Sequence, residues 1–500
     1  MREKIRQKKK LSPIVMMLFL IVFVSILSLI GQTFNIESSI TSITNGELEK
    51  SMVVIKSIFS KEGIIYLLSN LTTNFSLLNQ LILIIISLAT LGIFKSSGLF
   101  KQIFRPLKRM SDNKLTFITI FICIISSIIS DYSYIILIPL IASLYQYLNK
   151  NPILGVVISF IGITLGYATG IIFSFDDYSL GVLTQMAASI DVDPDYKYKL
   201  SSNLYIMLVT CFIMTTILTI LSQKYLNKEI NALEIYHDES QTSKKALMVS
   251  LISLVIMSIM IIIGILPNGV LLDNTQDVYI AKLFSANSPF NLSFMYILLF
   301  IISVMSLIYG FISKNFKDNQ DYSFGFTKEF DNVGYLFILM FLLSLLSSIM
   351  NWTNISTVLV TKLLYLIEVL NFTGAPLIVL TFVIIIIMTI FMPNSLEKWT
   401  LISPTLIPLF MKGNISPDFA QFLFRVSDSI GKSLTPLYIF FMVAVGFIQK
   451  YNNNSKKISL FDITKKVFPI LLTTLVIWLL ILIIWYISGL PLGIGTYAAM

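Results

Sequence analysis

The sequence predicts an all-α polytopic membrane protein, with about nine transmembrane helices plus two re-entrant hairpins in an inverted repeat. Of the 500 residues 56% are apolar and 13% are charged, whereas soluble domains carry about 25% charged residues. Apolar runs of about 18–22 residues recur and are long enough to cross a bilayer core. The net charge of +9 is dispersed over short loops, which indicates membrane topology and not a nucleic-acid surface.

Uninterrupted apolar runs give seven of the spans, and the basic loops between them set the orientation. The basic stretches are 2–10, 95–114, 149–150, 224–245, 314–328 and 450–466, whereas 32–75, 176–200 and 267–292 carry acids. The spans are expected near 12–31, 78–94, 202–222, 246–266, 293–313, 333–350 and 467–488. This pattern predicts a multi-pass protein of the cell inner (plasma) membrane with a cytoplasmic N-terminus and an outside C-terminus.

Two apolar segments are interrupted halfway by polar residues. Residues 115–148 contain "SDYS" at 130–133; as one helix they would be ~50 Å long, against a hydrocarbon core of ~30 Å. Both flanks are basic, so the segment is expected to enter and leave on the cytoplasmic side as a re-entrant hairpin. Residues 375–411, with the polar tip "PNSLEKW", are expected to form a second hairpin from the outside.

The order of hairpin, interrupted span and span occurs twice, which predicts an inverted repeat with a site between its halves. "LIPL" occurs at 137–140 and 406–409, and Pro152 precedes Gly166 by the interval that separates Pro417 from Gly431. We therefore divide the chain into N-terminal scaffold spans and a linker, a first repeat, central scaffold spans and a second repeat. These parts are 1–114; 115–225 (hairpin 115–148, interrupted helix 152–185, span 202–222); 226–374; and 375–490 (hairpin 375–411, interrupted helix 417–448, span 467–488).

The second interrupted helix carries the most informative charges. Arg425, Asp428 and Lys432 share one helical face. Each charge costs roughly 2.5–3.5 kcal/mol at the centre of a membrane helix, so the three should face each other, water or a ligand. A structural ion network is the alternative. Further binding candidates are Asp131, Asp176, Asn394, Ser395, Trp399 and Thr435, and the helix-break or hinge candidates are Gly166, Gly170, Pro417, Gly431 and Pro436.

For several other residues the sequence favours a structural or solvent-exposed position or leaves the role open. Asp177 is expected to be solvated at the outer surface, and Trp399 could anchor the hairpin or stack on a ligand. Whether Glu397 or Lys398 faces the site is left open, because adjacent helical residues point in different directions. His237, the only histidine, lies in the polar segment "EIYHDESQTSKK". No metal cluster or nucleophile–base pair is apparent, so neither an enzyme nor a metal site is expected.

The motifs "SDYSYIILIPL", "FDDYSLG", "EKWTLISPTLIPL", "ISPDF", "RVSDS" and "LTPL", in this order, resemble those of the AbgT family of p-aminobenzoyl-glutamate transporters. The resemblance covers about residues 80–450 and is most specific in the second repeat. It implies dimers of bowl-shaped protomers, with uptake of p-aminobenzoyl-glutamate or efflux of p-aminobenzoate-like antimetabolites such as sulfonamides. The positions that it implies for function are Asp176, Trp399, Pro417, Arg425, Asp428 and Pro436.

Three positions depart from the family pattern. The second hairpin tip of the family usually reads Asn-Leu-Phe-(Ile/Val)-Gly-Ser-Ala-Ser-Ala-Lys-Trp, whereas this chain has "TIFMPNSLEKW", beginning at Thr389. Gly170 and Lys432 also stand where the family has asparagines. Because asparagine oxygens suit cation coordination, a sodium site is in doubt. We hypothesise that the Lys432 ammonium replaces a coupling cation beside Asp428.

The sequence thus predicts a secondary transporter of a small organic anion, most simply a p-aminobenzoyl-glutamate or p-aminobenzoate-like compound. Arg425 or a helix N-terminus would meet its carboxylate. The expected coupling ion is H+ or Na+, with a proton or no coupling favoured by Lys432; no other cofactor is expected. Expected partners are membrane lipid and a second copy in a homodimer, without nucleic acid. The alternatives are a dicarboxylate-type anion carrier and an ion channel.

Overall fold

The computed structural model describes residues 12–44, 46–76, 78–226, 240–452 and 460–500. The predicted basic stretch 2–10, the part of 224–245 that contains His237 and residues 453–459 of the stretch 450–466 lie outside these residues. The described chain is almost entirely helical, and its only sheets are two small antiparallel pairs of strands.

The N-terminal part contains one long apolar helix, a β-hairpin and a broken helix pair. Ser12 caps the first helix and Pro13 opens it, a position where the missing proline N–H costs nothing. The two strands pair along their whole length, from Glu37 opposite Val54 to Thr44 opposite Glu47. The elements are α1 (Pro13–Thr33), β1 (Glu37–Thr44), β2 (Glu47–Val54), α2 (Lys61–Ser76), α3 (Asn79–Ser96) and α4 (Leu99–Phe104).

The segments predicted as the first hairpin and the first interrupted helix each contain two helices. A 3-10 turn, Ser126–Ile129, ends the first hairpin helix, and Ser130 takes a positive φ of 53° at the tip. The second pair is separated by residues 166–174. The elements are α5 (Asp112–Ile125), α6 (Tyr132–Tyr147), α7 (Pro152–Leu165), α8 (Phe175–Asp191) and α9 (Leu204–Tyr225).

The central part supplies three long helices and three shorter ones. Ser243 caps the first of them by accepting a hydrogen bond from the Ala246 amide. A 3-10 turn, Lys328–Phe330, precedes α14. The elements are α10 (Lys244–Ile265), α11 (Tyr279–Phe284), α12 (Pro289–Ile312), α13 (Asn319–Thr327), α14 (Gly334–Trp352) and α15 (Ile355–Leu370).

The C-terminal part repeats the order of the first hairpin region. Pro417 opens α18, which Ser416 caps, and residues 433–438 separate α18 from the next helix. A short strand pair closes the chain. The elements are α16 (Gly374–Phe391), α17 (Ser395–Lys412), α18 (Pro417–Lys432), α19 (Ile439–Tyr451), α20 (Leu460–Ser488), β3 (Pro491–Gly493) and β4 (Thr496–Tyr497).

Nine helical segments of the described residues are long and apolar enough to cross a membrane, which agrees with the expected number. The set differs from the predicted one in a specific way. Asp112–Ile129 and Gly374–Phe391, the first helices of the two hairpins, belong to it. The interrupted helices do not, because each is split into pieces that are too short or insufficiently apolar.

Contacts between loops group the helix ends into two sets. At one end, here called the basic end, Asp112 and Lys150 form an ion pair that joins both termini of the first hairpin. Glu329 binds Lys95 and Lys450 at the same end. These loops are the ones that charge counting assigned to the cytoplasm, so their grouping agrees with the predicted alternation of sides.

The other end collects the loops that were predicted to lie outside. The Ser416 hydroxyl donates to the Tyr497 carbonyl at 2.6 Å, and the Thr496 hydroxyl donates to the Ser202 carbonyl at 2.5 Å. The Tyr196 hydroxyl donates to Asp418 at 2.9 Å. The C-terminal strands and the termini of the second hairpin therefore lie at the same end. Which end faces the cytoplasm stays a prediction.

Candidate transport site

The hairpin tips lie against the breaks of the interrupted helices. In the first half, the Ser127 hydroxyl at the tip donates to the Thr169 carbonyl in the break at 2.8 Å. In the second half, the Thr435 hydroxyl in the break donates to the Ile390 carbonyl at the tip at 2.7 Å. One backbone carbonyl in the first break and one at the second tip thus receive side-chain hydrogen bonds, as backbone at such depth requires.

Asp428 is the centre of a fully buried charge cluster. Its carboxylate forms an ion pair with Lys398 of α17 and lies 3.4 Å from the Lys432 ammonium, one turn along α18. The Ser395 hydroxyl donates to Asp428 Oδ2 at 2.6 Å, and the Thr389 hydroxyl lies 3.1 Å from Oδ1. Each carboxylate oxygen therefore has several partners, which a buried charge requires.

Lys432 joins this cluster to the tip of the first hairpin. Its ammonium lies 3.4 Å from Asp131 as well as 3.4 Å from Asp428. The rings of Tyr167 and Tyr438 lie 4.1 Å and 5.1 Å from the ammonium, within the range of cation–π attraction. The Tyr438 hydroxyl also donates to Asp131 at 2.7 Å. One lysine thus bridges a carboxylate from each half of the chain.

Arg425 is engaged by the first interrupted helix, and this corrects one expectation. Asp177 is 2% exposed and forms an ion pair with Arg425, so the prediction of a solvated Asp177 is wrong. The same carboxyl group accepts hydrogen bonds from the amide and hydroxyl of Ser174, the residue that caps α8. Arg425 also donates to the Tyr167 carbonyl at 2.9 Å. Its charge is therefore paired within the protein, and only its Nε has no hydrogen-bond partner among the described residues.

Trp399 is packed and not open to a ligand in this structure. It is 0% exposed, its indole N–H donates to the Thr184 hydroxyl at 3.0 Å, and its ring lies 4.4 Å from that of Phe424. Of the two expectations for this residue, the anchoring role fits this environment. Trp399 holds α17 against α8 and α18.

Asp176 lies beside the first hairpin tip. It accepts a hydrogen bond from the Tyr167 hydroxyl, and its amide donates to the Ser130 hydroxyl at 3.2 Å. Asp131 is the other acid at this tip, and its side chain is 35% exposed. Both carboxylates therefore border open space, unlike Asp428.

The two tips enclose a cavity of about 400 Å³, a volume typical of small-molecule sites. Asp131 and Tyr132 come from the first tip, Asn394 and Glu397 from the second, and Tyr438 from the second break. The other lining residues are Leu78, Gln80, Ser130, Asp176, Leu343, Ser344, Ser347, Met350, Asn351, Ser356, Phe391, Met392, Pro393, Leu437, Ile439 and Phe440.

The predicted break residues lie where the helices end. Gly166 ends α7 and Pro417 starts α18. Pro436 lies between α18 and α19. Gly170 is tightly enclosed, since a Cβ there would lie 3.2 Å from the Ser127 hydroxyl. Gly431 lies so close to α16 that a Cβ would meet Thr389 Cβ at 2.4 Å.

Tyr167 and Tyr438 were not predicted as site residues, Lys398 was left open, and Asp177 was expected to be solvated. These four residues complete the charge cluster through partners in other segments of the chain: Lys398 with Asp428, Asp177 with Arg425, Tyr167 with Lys432 and Tyr438 with Asp131. The question about residues 397 and 398 is settled: Lys398 is 0% exposed, whereas Glu397 lines the cavity. A signal for Lys398 was present, because a lysine within an apolar hairpin needs a partner.

Apolar helices, paired interrupted segments and a buried charged site between them define the class of multi-pass membrane transporters. Residues 5–500 match the family described as "AbgT putative transporter family", and the chain belongs to this family. It is 24% identical over 493 residues to the p-aminobenzoyl-glutamate transport protein of Escherichia coli (strain K12), a match that covers 97% of this chain and 94% of that protein.

Two solved structures share the fold. The Alcanivorax borkumensis YdaH transporter has a TM-score of 0.51 at 23% identity, over 96% of this chain and 100% of that one. Neisseria gonorrhoeae MtrF, described as illuminating a class of antimetabolite efflux pumps, has a TM-score of 0.50 at 22% identity, over 98% of both chains. The predicted family and the helical membrane fold are confirmed.

Proposed function

We propose that this protein is a secondary active transporter of small aromatic organic acids of the p-aminobenzoate and p-aminobenzoyl-glutamate type. The single observation that supports this proposal is the cavity of about 400 Å³ between the two hairpin tips. Tyr132, Phe391 and Tyr438 offer rings to an aryl group there. The name of one similar protein, the p-aminobenzoyl-glutamate transport protein of Escherichia coli, points to the same class of compound.

A ligand carboxylate would meet the start of α19. Arg425 is occupied by Asp177 and is absent from the cavity lining. Tyr438, the residue before α19, makes no side-chain capping hydrogen bond, and Ile439 and Phe440 border the cavity. The first amide groups of a helix attract anions. Of the two anion-binding groups predicted from the sequence, the helix N-terminus thus has the better support.

Transport would proceed by alternating access, with both hairpins re-entrant and with the repeats moving against the scaffold helices. We place the protein in the inner membrane as a homodimer, with the basic end in the cytoplasm. The coupling cation is replaced by Lys432, whose ammonium lies between Asp131 and Asp428. Flux should therefore be independent of sodium and follow a proton gradient or the solute gradient alone.

The test is flux of radiolabelled p-aminobenzoyl-glutamate and p-aminobenzoate in proteoliposomes, with sodium and proton gradients imposed separately. Succinate and citrate serve as competitors, because inhibition by them and not by p-aminobenzoate would indicate the dicarboxylate-type carrier. No flux of either aryl compound in either direction would overturn the proposed substrate class.

Lys432→Asn tests the proposed coupling. It removes the ammonium and leaves two carboxylates without that cation, so flux should acquire a sodium requirement. Lys362→Asn, at an exposed position of α15, is the matched control and should change nothing. Steep sodium dependence of the wild-type protein would contradict the proposal for Lys432.

A further inference from the structure

A second cavity, here called the apolar pocket, lies between α3, α4, α6 and α12 and shares no residue with the cavity between the tips. Its volume is about 230 Å³, and its wall is almost entirely apolar. The two side-chain hydroxyl groups in this wall are already paired. Ser87 donates to the Ile135 carbonyl at 3.0 Å, and the Thr90 hydroxyl lies 3.0 Å from that of Ser303. The described wall therefore offers water no unpaired side-chain group, and it suits a hydrocarbon guest.

The apolar pocket runs from the basic end towards the middle of the membrane-spanning helices. On α3 its wall extends from Ser87 to Phe94, which is ~10 Å at 1.5 Å per residue. The next residue, Lys95, belongs to the ion-paired group at the basic end. There Ile103 and Phe104 of α4 form the rim of the pocket, and Ile103 is 44% exposed. A chain that enters at this rim would lie along the helices, as an acyl chain lies in a bilayer.

A basic turn directly follows the rim of the pocket. This 3-10 turn, Arg105–Arg109, begins at the residue after Phe104. Its three exposed cations are Arg105, Lys108 and Arg109. Within the part of the chain that the structure describes, none of the three forms an ion pair. The one acid of the stretch 99–114, Asp112, is bound to Lys150. The turn therefore presents uncompensated positive charge.

Aromatic packing holds the basic turn at this place. The centre of the Phe104 ring lies 4.8 Å from that of Phe100 and 6.3 Å from that of Phe94. At the end of α6, the Tyr147 ring lies 4.2 Å from the Lys108 ammonium. The cations are therefore kept beside the mouth of the apolar pocket. Positive charge and apolar surface follow each other in the order in which an anionic lipid presents its headgroup and chain.

We propose that the apolar pocket and the basic turn together bind one anionic phospholipid, with an acyl chain in the pocket and the phosphate against Arg105 and Arg109. Basic residues at the ends of membrane helices attract anionic headgroups, and arginine can donate two parallel hydrogen bonds to a phosphate. Burial of the acyl chain adds apolar contact. The bound lipid joins the first hairpin, through α6, to α3 and α12. This site is independent of the solute proposed above.

The test is lipid-dependent stabilisation of the full-length protein purified in dodecyl maltoside. The probes are palmitoyl-oleoyl phosphatidylglycerol, phosphatidylcholine with the same chains, and glycerol phosphate, which has the phosphate without a chain. Phosphatidylglycerol should raise the thermal denaturation midpoint and stay bound in native mass spectrometry. The other two probes should do neither, because one lacks the net charge and the other lacks the hydrocarbon.

The first variant replaces the three exposed cations of the basic turn: Arg105→Gln/Lys108→Gln/Arg109→Gln. Its dissociation constant for phosphatidylglycerol should rise roughly fivefold for each cation removed. The matched control removes the same charge from exposed lysines in three other basic stretches: Lys224→Gln/Lys328→Gln/Lys465→Gln. This control should bind the lipid as the wild-type protein does.

Two further variants act on the pocket and leave the basic turn intact. Ile302→Trp fills the pocket from α12. Ile103→Glu places a carboxylate at the rim, where the 44% exposed side chain allows the substitution without loss of the fold. Both variants should lose the stabilisation by phosphatidylglycerol. The midpoint of Ile103→Glu in detergent alone should stay close to that of the wild type.

Several results would overturn the lipid site. Equal stabilisation by phosphatidylcholine would mean that the headgroup is not recognised, and stabilisation by glycerol phosphate would mean a phosphate site without a chain. Displacement of the lipid by p-aminobenzoate would make the pocket a second solute site. Unchanged lipid binding by the triple variant or by Ile103→Glu would also contradict the proposal. None of these results bears on flux through the cavity between the tips, so the proposed function is tested separately.

Discussion

Two of the buried cations near the centre of this protein are each held by an aspartate from another helix. Arg425 of α18 binds Asp177 of α8, and Lys398 of α17 binds Asp428 of α18. Transfer of an unpaired charge into such surroundings would cost several kcal/mol. The pairs therefore specify which helices can lie next to one another. The two ion pairs thereby favour one arrangement of α8, α17 and α18 around the site.

Arg425 offers a direct test of this pairing. Arg425→Ala leaves Asp177 buried without its cation, and it should lower stability by about 3–5 kcal/mol. The measurement is the thermal denaturation midpoint in detergent. The double variant Arg425→Ala/Asp177→Ala should recover part of the loss, because no uncompensated charge remains. The pairing would be contradicted if the double variant lost as much stability as Arg425→Ala alone, or as much as the two single variants together.

Sequence periodicity could find only three of the five charged groups in this cluster. The spacing of Arg425, Asp428 and Lys432 marked one helical face, and all three are buried. Their partners Asp177 and Lys398 could not be assigned, since pairing depends on how distant segments pack. Asp177 was misjudged because its position beside a helix break also fits a solvated end. The break and the charge were visible, and the contact across 248 residues was not.

At the scale of elements, α18 is the helix around which the second half is built. All its residues from Pro417 to Lys432 are buried, and it packs most closely against α16. The close approach depends on Gly431, where a Cβ would lie 2.4 Å from Thr389 Cβ and 2.9 Å from the Ile386 carbonyl oxygen. The glycine lets the Thr389 hydroxyl reach Asp428.

Gly431→Ala should therefore force α16 away from α18. Overpacking of this kind costs about 1–3 kcal/mol, and the denaturation midpoint should fall while solute flux declines. Gly334→Ala is the matched control, because a Cβ at Gly334 would meet nothing within 4 Å and its φ is not positive. An unchanged midpoint for Gly431→Ala would show that the two helices are not in tight contact.

At the basic end, a triad of one glutamate and two lysines holds the helices together. Glu329, in the turn before α14, lies 2.5 Å from the Lys95 ammonium and 2.9 Å from that of Lys450. It thereby ties α3 and α14 to α19. Burial alone would raise the pKa of Glu329, but the two ammonium groups outweigh burial and lower its pKa from 4.5 to about 2.

This shift predicts a pH dependence of stability. Because the folded-state pKa lies below the unfolded value, the contribution of about 3 kcal/mol is present above pH 4.5 and is lost as the pH falls towards 2. Glu329→Gln imitates the protonated acid. Its denaturation midpoint should lie well below that of the wild type at pH 7, and the gap should narrow below pH 4.5.

Asp112→Asn is the control for this triad. The Asp112 side chain is 67% exposed in its pair with Lys150, and exposed pairs contribute about 0–1 kcal/mol. Its midpoint should stay close to the wild-type value at every pH. If the midpoint difference between Glu329→Gln and the wild type were the same at pH 7 and pH 3, the lowered pKa of Glu329 would be contradicted.

The order of elements was the most predictable property of the chain. Apolar run length gave the spans, and the polar interruptions gave the tips near Asp131 and Asn394. Positions of the breaks followed from glycine and proline, which stop helices for backbone reasons. The β1–β2 hairpin and helix α15, which follows α14 after a short break, were not predicted. Residues 37–54 are polar, so a search for apolar runs passed over them, although the Asn-Gly pair at 45–46 is a hairpin signal.

For the whole molecule, the two halves meet at their centres while their termini lie apart. Asp112 and Lys150 at the ends of the first hairpin are paired at the basic end. Asn414, which follows the second hairpin, accepts a hydrogen bond from the C-terminal Met500 amide at the other end. Yet both tips line one cavity. A solute in this cavity would contact both hairpins at once.

Thiol labelling tests this shared cavity. Cys123 and Cys211, both buried, are first replaced by alanine, and single cysteines are placed at Tyr132 and Asn394. Because both positions line the same cavity, a membrane-impermeant maleimide should reach both from the same side of sealed vesicles. A cysteine at Ile385, which is 0% exposed, should stay unlabelled. If the two tips were labelled from opposite sides, each from the end where its hairpin begins, they would border separate spaces and no common solute site would exist.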